Sequence, residues 1–464
     1  MAEFDAVVVG AGPNGLAAGV ELTRSGRRVL VVEQADVIGG GTRTEELTLP
    51  GFRHDVCSAI HPLGMASPFF RELRLEVDWI QPPIPVSHPL GGGRAAVLHR
   101  DVEATASALG ADRDRYLRMI EPMVSSAEGV INDLLGPMRV IPRSPGSFIR
   151  LAGRGALPAA TLASRLSTPE GRGLLAGLAA HSMAPLGSPL TGGVALLFAM
   201  VGHAYGWPLV RGGSQEIAEA LARIITAGGG SITTGQRVES VDELPPVETV
   251  LLDVMPRAAV LIGGARIEPR QRRRLLGRRV GPAVFKVDYA LAGPIPWADP
   301  LSPQAGTVHL GGTWEEVAAA EEEVHAGRHP ERPFVLLAQQ SRFDSSRAPP
   351  GGETAWAYCH VPNGSDIDMS DAIEAQIERF APGFKDLVLE RHEMNALQLE
   401  RHNPNYVGGD ISGGGFGMQK VLQLGSIAPY RLGEGLYLCS SATPPGAGVH
   451  GMCGYNAARA ALGD

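Results

Sequence analysis

The stretch that most constrains this chain is its amino-terminal segment, where a run of mostly branched apolar residues, Phe4 to Val9, leads into Gly10-x-Gly12-x-x-Gly15. Such a run suits a strand buried on both faces. Each glycine answers a separate need. Gly10 permits the tight turn, Gly12 lets backbone N–H groups approach a pyrophosphate, and Gly15 lets the following helix press on the strand. Pro13 and Asn14 lie in this turn, at a helix N-terminus that faces phosphate. Leu16, Ala17, Val20 and Leu22 give the helix its apolar stripe from about Gly15 to Arg24, Gly26 stops it, and Val29 to Val32 forms the second strand. Glu33 ends that strand at the spacing of the acid that accepts hydrogen bonds from an adenosine ribose, and its charge would repel a 2′-phosphate. FAD or NAD is therefore expected ahead of NADP.

At 464 residues the chain exceeds one ordinary core, so two or three domains are expected. A hydrophobic share of 44% describes a globular protein, and a net charge of −8 argues against nucleic acid as a partner. With the first strand starting at Phe4, the expectation is no presequence and a cytoplasmic location. The most apolar region, 173–200, is broken by His181, Pro185, Pro189 and several glycines, so it offers no membrane span. It suits the lining of an apolar tunnel or peripheral contact with a membrane. Cys57, Cys359, Cys439 and Cys453 form no CxxC pair, which argues against dithiol chemistry. Only Lys286, Lys385 and Lys420 carry an ε-amine, so any chemistry that needs one falls to these three.

Behind Glu33 come Gln34 and a second glycine cluster, Gly39-Gly40-Gly41-Thr42-Arg43. It adds backbone N–H groups and a cation near the pyrophosphate, which favours FAD over NAD. With this acid, spacer, glycine pair, threonine and Gly51-Phe52, the chain resembles the flavoprotein superfamily of amine oxidases, protoporphyrinogen oxidases and phytoene desaturases. It departs from their pattern at Gly41, where arginine is usual, so the resemblance gives the positive charge to Arg43. It also implies that the backbone at Val238 meets the adenine. At the other end, Leu436-Tyr437-Leu438 and Pro445-Gly446-Ala447-Gly448 resemble the carboxy-terminal FAD motif of the phytoene desaturase and carotenoid isomerase group, with Ser440 and Ser441 in place of Gly-Ala. The helix that follows offers a second N-terminus at His450, Gly451 and Met452, suited to the flavin N1/C2=O region. The loop 403–415 holds no cysteine, unlike the comparable loop of monoamine oxidases, so the FAD is expected to be non-covalent.

The expected fold is α/β: a Rossmann-like FAD-binding domain with a parallel sheet, assembled from 1–65, 205–260 and 405–464, plus an α+β substrate domain with a mixed sheet. The second domain takes 66–204 and 261–404, including a helical lid at about 100–204. Strand pieces are expected at 231–234 and 237–241. The strand 283–291 places Val284, Lys286 and Asp288 on one face. Lys286 is the first catalytic candidate: by position it resembles the lysine that holds a water against flavin N5 in amine oxidases, and otherwise it pairs with Asp288. His450 is the second, with helix capping as its alternative role. His61 and Tyr205 are candidates for the pocket wall. His325 and His329 have HxxxH spacing, but Gly327 and Pro330 break the helix that a metal site needs. His309 and His360 read as isolated, and the run Arg272 to Arg279 reads as a solvated helix face or a membrane contact.

The expected function is FAD-dependent dehydrogenation, saturation or isomerisation of a C–C bond in a hydrophobic, isoprenoid- or lipid-like substrate. A flavin amine oxidase is the alternative within enzymes, and an FAD-stabilised regulatory protein with little turnover is the alternative outside them. Expected partners are a small hydrophobic substrate and a membrane surface touched peripherally, without nucleic acid and without a metal; a dimer is compatible with this reading.

Overall fold

The strand expected at the amino terminus, Ala6–Val9, stands inside a six-stranded sheet whose members come from three distant parts of the chain. Edge to edge the order is Arg431–Gly433, Leu436–Leu438, Thr249–Leu252, Ala6–Val9, Val29–Val32 and Ser231–Thr233. All neighbours are parallel except the first pair. Burial on both faces explains the runs of Val and Leu in the central strands. The computed structural model describes residues 3–137, 146, 153–417 and 428–463. Lys420, residues 138–145 and 147–152 of the expected lid and residues 418–427 lie outside these.

The first helix, Pro13–Arg24, begins earlier than the apolar stripe suggests because Pro13 occupies its first turn. It is flanked by Gln215–Ala227 and Met452–Leu462. Gly454 lets the last of these approach, since a Cβ there would collide with the Asn14 carbonyl. The strand expected at 237–241 does not form. Its partner, Val29–Val32, ends at Glu33, so after Gln236 N–H bonds the Glu33 carbonyl (2.9 Å) the chain leaves the sheet and makes a 3₁₀ turn at Val241–Glu243.

The second sheet has seven strands in the order Val388–Met394, Ala283–Leu291, Glu353–Val361, Val335–Ala338, Ala305–Leu310, Ile84–Gly91 and Arg94–Leu98. It is antiparallel save for the pairing of Ala305–Leu310 with Ile84–Gly91. One face buries Phe285, Val287, Tyr289, Leu337 and Cys359 with Ile373, Ile377 and Phe380 of the helix Ser370–Phe380. At roughly 2 kcal/mol per large apolar side chain, this face anchors the sheet. The opposite face looks toward the first sheet.

Helices at Val102–Ala108, Arg113–Val124, Ala127–Leu135, Ala159–Ala163, Pro169–Ala180 and Thr191–Ala204 pack on one another and on the strands Ile84–Gly91 and Arg94–Leu98 of the second sheet. Their apolar residues join one buried cluster with the amino-terminal sheet. Among the described residues no helix is long and apolar enough to cross a membrane. In the basic run, Arg274 and Arg278 turn inward to the carbonyls of Pro429 and Ala442, while Arg272, Arg273 and Arg279 are exposed.

Candidate functional site

One cavity of about 620 Å³ runs from the glycine turn of the first sheet to the inner face of the second. At its first end it is lined by Gly10, Gly12, Pro13, Asn14, Glu33, Gln34, Gly40, Gly41, Arg43 and Val238. Glu33 braces the turn itself: its Oε2 accepts from Ala11 N–H at 2.7 Å and its Oε1 from Ala35 N–H at 2.9 Å. Asn14 Oδ1 is buried without a partner. Arg43 is fixed by the carbonyls of Gly40 and His402, each at 3.1 Å.

Gly41 replaces the usual arginine for a steric reason. A Cβ at Gly41 would collide with the Tyr406 hydroxyl, so Tyr406 fills the space a longer residue would need. The sequence reading also missed Asp253, which follows the strand Thr249–Leu252 and receives the Gly15 N–H at 2.8 Å. Burial raises its pKa to about 7, opposed by that N–H and reinforced by the charge of Glu33. Its signal was present: an acid directly after a buried strand that pairs in parallel with Ala6–Val9 falls beside Gly10.

The open helix N-terminus, the glycine cradle, the free acceptor of Asn14 and the bracing acid fit the pyrophosphate and ribose of a dinucleotide. The backbone N–H groups of the turn and of Gly40, with the Arg43 guanidinium, would hold its phosphates, Asn14 Oδ1 would accept from a hydroxyl, and Glu33, Gln34 and Val238 would meet the adenosine side.

The other end is formed by Val284, Lys286, Thr307, Leu336, Trp356 and Tyr358 of the second sheet, with Phe198, Trp207, His181 and His61 opposite. Period-2 alternation and the register Lys286↔Tyr358, Asp288↔Trp356 and Leu336↔Tyr358 bring these sheet residues to one face. Lys286 is buried, pairs with Asp288, and has its Nζ 5.9 Å from the Trp356 ring centre. Burial raises the Asp288 pKa to about 6 against the pull of Lys286. His61 stands on the wall with Nε2 on Ser214 Oγ at 2.8 Å, and burial lowers its pKa to about 4. Ser441 also lines the cavity, beside Ala447 to Val449.

Six expected site residues stand behind this lining; for Gly15 that is the helix-packing role its spacing gives it, and for His450 the capping role. Gly15 serves helix packing, since a Cβ would strike the Gly10 carbonyl. Thr42 turns back to the Gly39 carbonyl at 2.8 Å. Tyr205 ends the helix Thr191–Ala204, its ring beside Arg71 and its carbonyl on Gln81. His450 is a cap: its Nδ1 accepts from Met452 N–H at 3.0 Å and its carbonyl from Ser67 Oγ at 2.7 Å, and burial lowers its pKa to about 4. Gly451 and Met452 are buried with it, so the loop before the helix, not its first turn, reaches the cavity. His309 and His360 are core residues but not isolated ones, which is a correction: His309 lies against His181 and His88, and His360 bonds Glu321.

Comparison with known proteins agrees with this geometry. Residues 8–73 match the family model of the NAD(P)-binding Rossmann-like domain. The chain is 27% identical to pyridine nucleotide-disulfide oxidoreductase domain-containing protein 2 of Rattus norvegicus, over 100% of this chain and 94% of that protein. It is 26% identical to phytoene dehydrogenase of Streptomyces griseus, over 96% and 92% of the two chains. Among solved structures, putrescine oxidase bound to putrescine superposes with a TM-score of 0.65 at 16% identity, over 99% of each chain. The chain thus shares its fold with putrescine oxidase, and over nearly its full length it is similar to oxidoreductases, a phytoene dehydrogenase among them.

Proposed function

We propose that this protein is an oxidoreductase that binds FAD non-covalently and dehydrogenates, saturates or isomerises a C–C bond of an apolar substrate. One observation carries the reading. The far end of the cavity is mostly an apolar and aromatic wall, Val284, Leu336, Trp356, Tyr358, Phe198 and Trp207, with Lys286, Thr307, His61 and His181 as its polar members, while the lining carboxylates, Glu33, Glu239 and Asp253, belong to the dinucleotide end. An ammonium substrate finds no lining carboxylate there among the described residues, and the nearby cation, Lys286, is already paired with Asp288. The full-length similarity to a phytoene dehydrogenase supports the same choice.

FAD, when bound, supplies a two-electron acceptor. The chain's own work is to orient and to exclude water. The glycine turn and Arg43 hold phosphate, and the inner face of the second sheet presents the substrate under a roof of Phe198 and Trp207. Lys286 supplies a fixed positive charge on the same face. The amine-oxidase alternative keeps the support of the shared fold and the position of Lys286.

Anaerobic mixing of the flavin-loaded protein with acyclic isoprenoid alkenes and, separately, with primary amines decides between them. Flavin bleaching or an isomerised alkene by mass-calibrated chromatography is expected. Bleaching by amines alone, with peroxide formed on admitting air, would remove the C–C reading. Peripheral membrane contact is supported by Leu276 and Val280, exposed in the same run as Arg272, Arg273 and Arg279. Co-sedimentation with vesicles containing anionic lipid, lost on replacing those arginines by glutamate, is the corresponding test.

A further inference from the structure

The roof over the substrate face is a unit of three rings packed on one another. Centre to centre, His181 stands 4.5 Å from Phe198 and 6.0 Å from Trp207, and Phe198 stands 5.4 Å from Trp207. Aromatic pairs attract at these separations. Each ring is also held from behind. Phe198 belongs to the helix Thr191–Ala204. Trp207 is buried, and the Gln81 side chain clamps the chain on either side of Gly206, whose φ of 89° turns it back: its Nε2 donates to the Tyr205 carbonyl at 2.9 Å and its Oε1 accepts from Trp207 N–H at 3.2 Å. The Pro208 carbonyl then accepts from His61 N–H at 2.8 Å, which ties the roof to the wall. His181 backs onto His309 at 5.0 Å, and His309 onto Phe334 at 5.6 Å. Core side chains, not a continuing channel, therefore stand behind the rings.

The rest of this end is closed as well. Among the described residues, Val284, Leu336, Trp356 and Tyr358 of the floor are buried, and no residue named above as lining the far end is exposed. The exposed members of the lining are drawn from the dinucleotide end, at Gln34, Arg237, Glu239 and Leu261, and from the loops at Pro404 and Gly448. The substrate chamber is thus a blind end of the cavity that receives the cofactor. A single drug-sized ligand takes a pocket of about 300–1,000 Å³. FAD is larger than such a ligand, so a cavity of about 620 Å³ shared by both leaves the substrate the smaller part.

We propose that the three-ring roof sets an upper limit on substrate length: the substrate is a short apolar molecule enclosed between the second sheet and the rings, and Phe198 and Trp207 determine which lengths are accepted. Phe198 is half-buried and so has surface to offer the chamber, and Trp207 backs it. A packed interior yields little, and overfilling it forces side chains off their rotamers. An open apolar channel would do the opposite and reward each added methylene by about fourfold in affinity. The two arrangements differ in the sign of the length dependence.

This inference rests on the reading of the aromatic end as the substrate site, and one titration series separates the two ideas. Geraniol, farnesol and geranylgeraniol, acyclic isoprenoid alcohols of increasing length, are titrated into the flavin-loaded protein and read by perturbation of the flavin spectrum. Geraniol is expected to bind, and geranylgeraniol to bind about tenfold more weakly. In Phe198→Ala and in Trp207→Phe, farnesol should gain about tenfold relative to geraniol, because the chamber lengthens where the ring is trimmed. Affinity that rises from geraniol to geranylgeraniol in the wild type overturns the proposal, and this arm needs no variant. A length order left unchanged by both substitutions, at wild-type flavin content and thermal midpoint, overturns it too. Should Phe198→Ala fail to hold flavin, Phe198→Leu takes its place with a smaller shift in the same direction. If none of the three alcohols perturbs the wild-type flavin, the substrate-site reading itself falls, and the length limit with it.

Discussion

Replacing Glu33 by glutamine should destabilise the protein before any cofactor is added. The expectation follows from what its two oxygens do: Oε2 accepts from Ala11 N–H inside the glycine turn and Oε1 from Ala35 N–H beyond the strand. A carboxylate accepts with both oxygens, but an amide accepts with one and presents N–H₂ with the other. In Glu33→Gln one backbone N–H therefore faces a donor. With the amide oxygen kept on the buried Ala11 N–H, the half-buried Ala35 N–H is left unsatisfied, so a loss of about 1–3 kcal/mol is expected. Equilibrium urea unfolding of the flavin-free wild type and variant reads this directly. A titration with FAD then reports what the acid adds to cofactor affinity on top of that. If the flavin-free variant unfolds within about 0.5 kcal/mol of wild type while FAD binding weakens, Glu33 is a ribose ligand only and the bracing argument is wrong.

Asp253, with its folded pKa raised to about 7, binds its proton more tightly folded than unfolded. Its contribution to stability is complete below pH 4 and is lost as pH rises through 7. Asp253→Asn keeps an acceptor for Gly15 and should flatten this fall in urea titrations from pH 4 to 8. FAD affinity of the wild type should also drop between pH 6 and 8, and that of Asp253→Asn should not, because the phosphates approach a carboxyl that must stay neutral. His450→Ala should lose about 1 kcal/mol as a lost cap while the turnover per bound flavin is unchanged; a large fall in turnover at equal flavin content would return His450 to the chemistry. Gly454→Ala forces the helices Pro13–Arg24 and Met452–Leu462 apart at Asn14, and a loss of about 3 kcal/mol with weakened FAD binding is expected from paired unfolding and flavin-release measurements.

What could be read from the sequence was what is local. The strand, turn, helix, strand and acid between Phe4 and Glu33 are determined by neighbours along the chain, and the structure places them as expected. The alternation that puts Val284, Lys286 and Asp288 on one face is equally local. Pairing between distant strands is not. Nothing in the sequence says that His309 stands beside His88, whose strand lies far earlier in the chain, or that Tyr406 fills the place left by Gly41. His309 and His360 looked isolated for that reason. His450 looked catalytic because it sits next to a motif, and only the folded chain reveals that its ring nitrogen is spent on Met452.

The site lies between two sheets, and the junction is made of buried charge. Arg347, fully buried, binds Asp55 and also Asp344, the latter at 3.2 Å. Asp55 accepts from Thr44 Oγ1 and Ser214 N–H, and Asp344 from Gly212 N–H, all at 2.8 Å. Burial alone would raise the Asp55 pKa, yet the Arg347 charge and the Ser214 N–H hold it below the ordinary range. Next to Asp55, His54 reaches Asp288 at 3.7 Å, and Asp288 holds Lys286. A hydrocarbon junction of the same volume would be as stable or more so, because desolvating ions cancels most of their attraction. Hydrocarbon has no preferred direction, however, and lets two layers slide. Fixed hydrogen bonds from Thr44, Gly212 and Ser214, which flank the glycine cluster and the helix Gln215–Ala227, tie the cofactor end to Asp288 and Lys286 on the substrate face. A transfer between a bound cofactor and a substrate on that face requires the two layers to hold position within about 0.5 Å, so alignment, more than stability, accounts for the charge buried here.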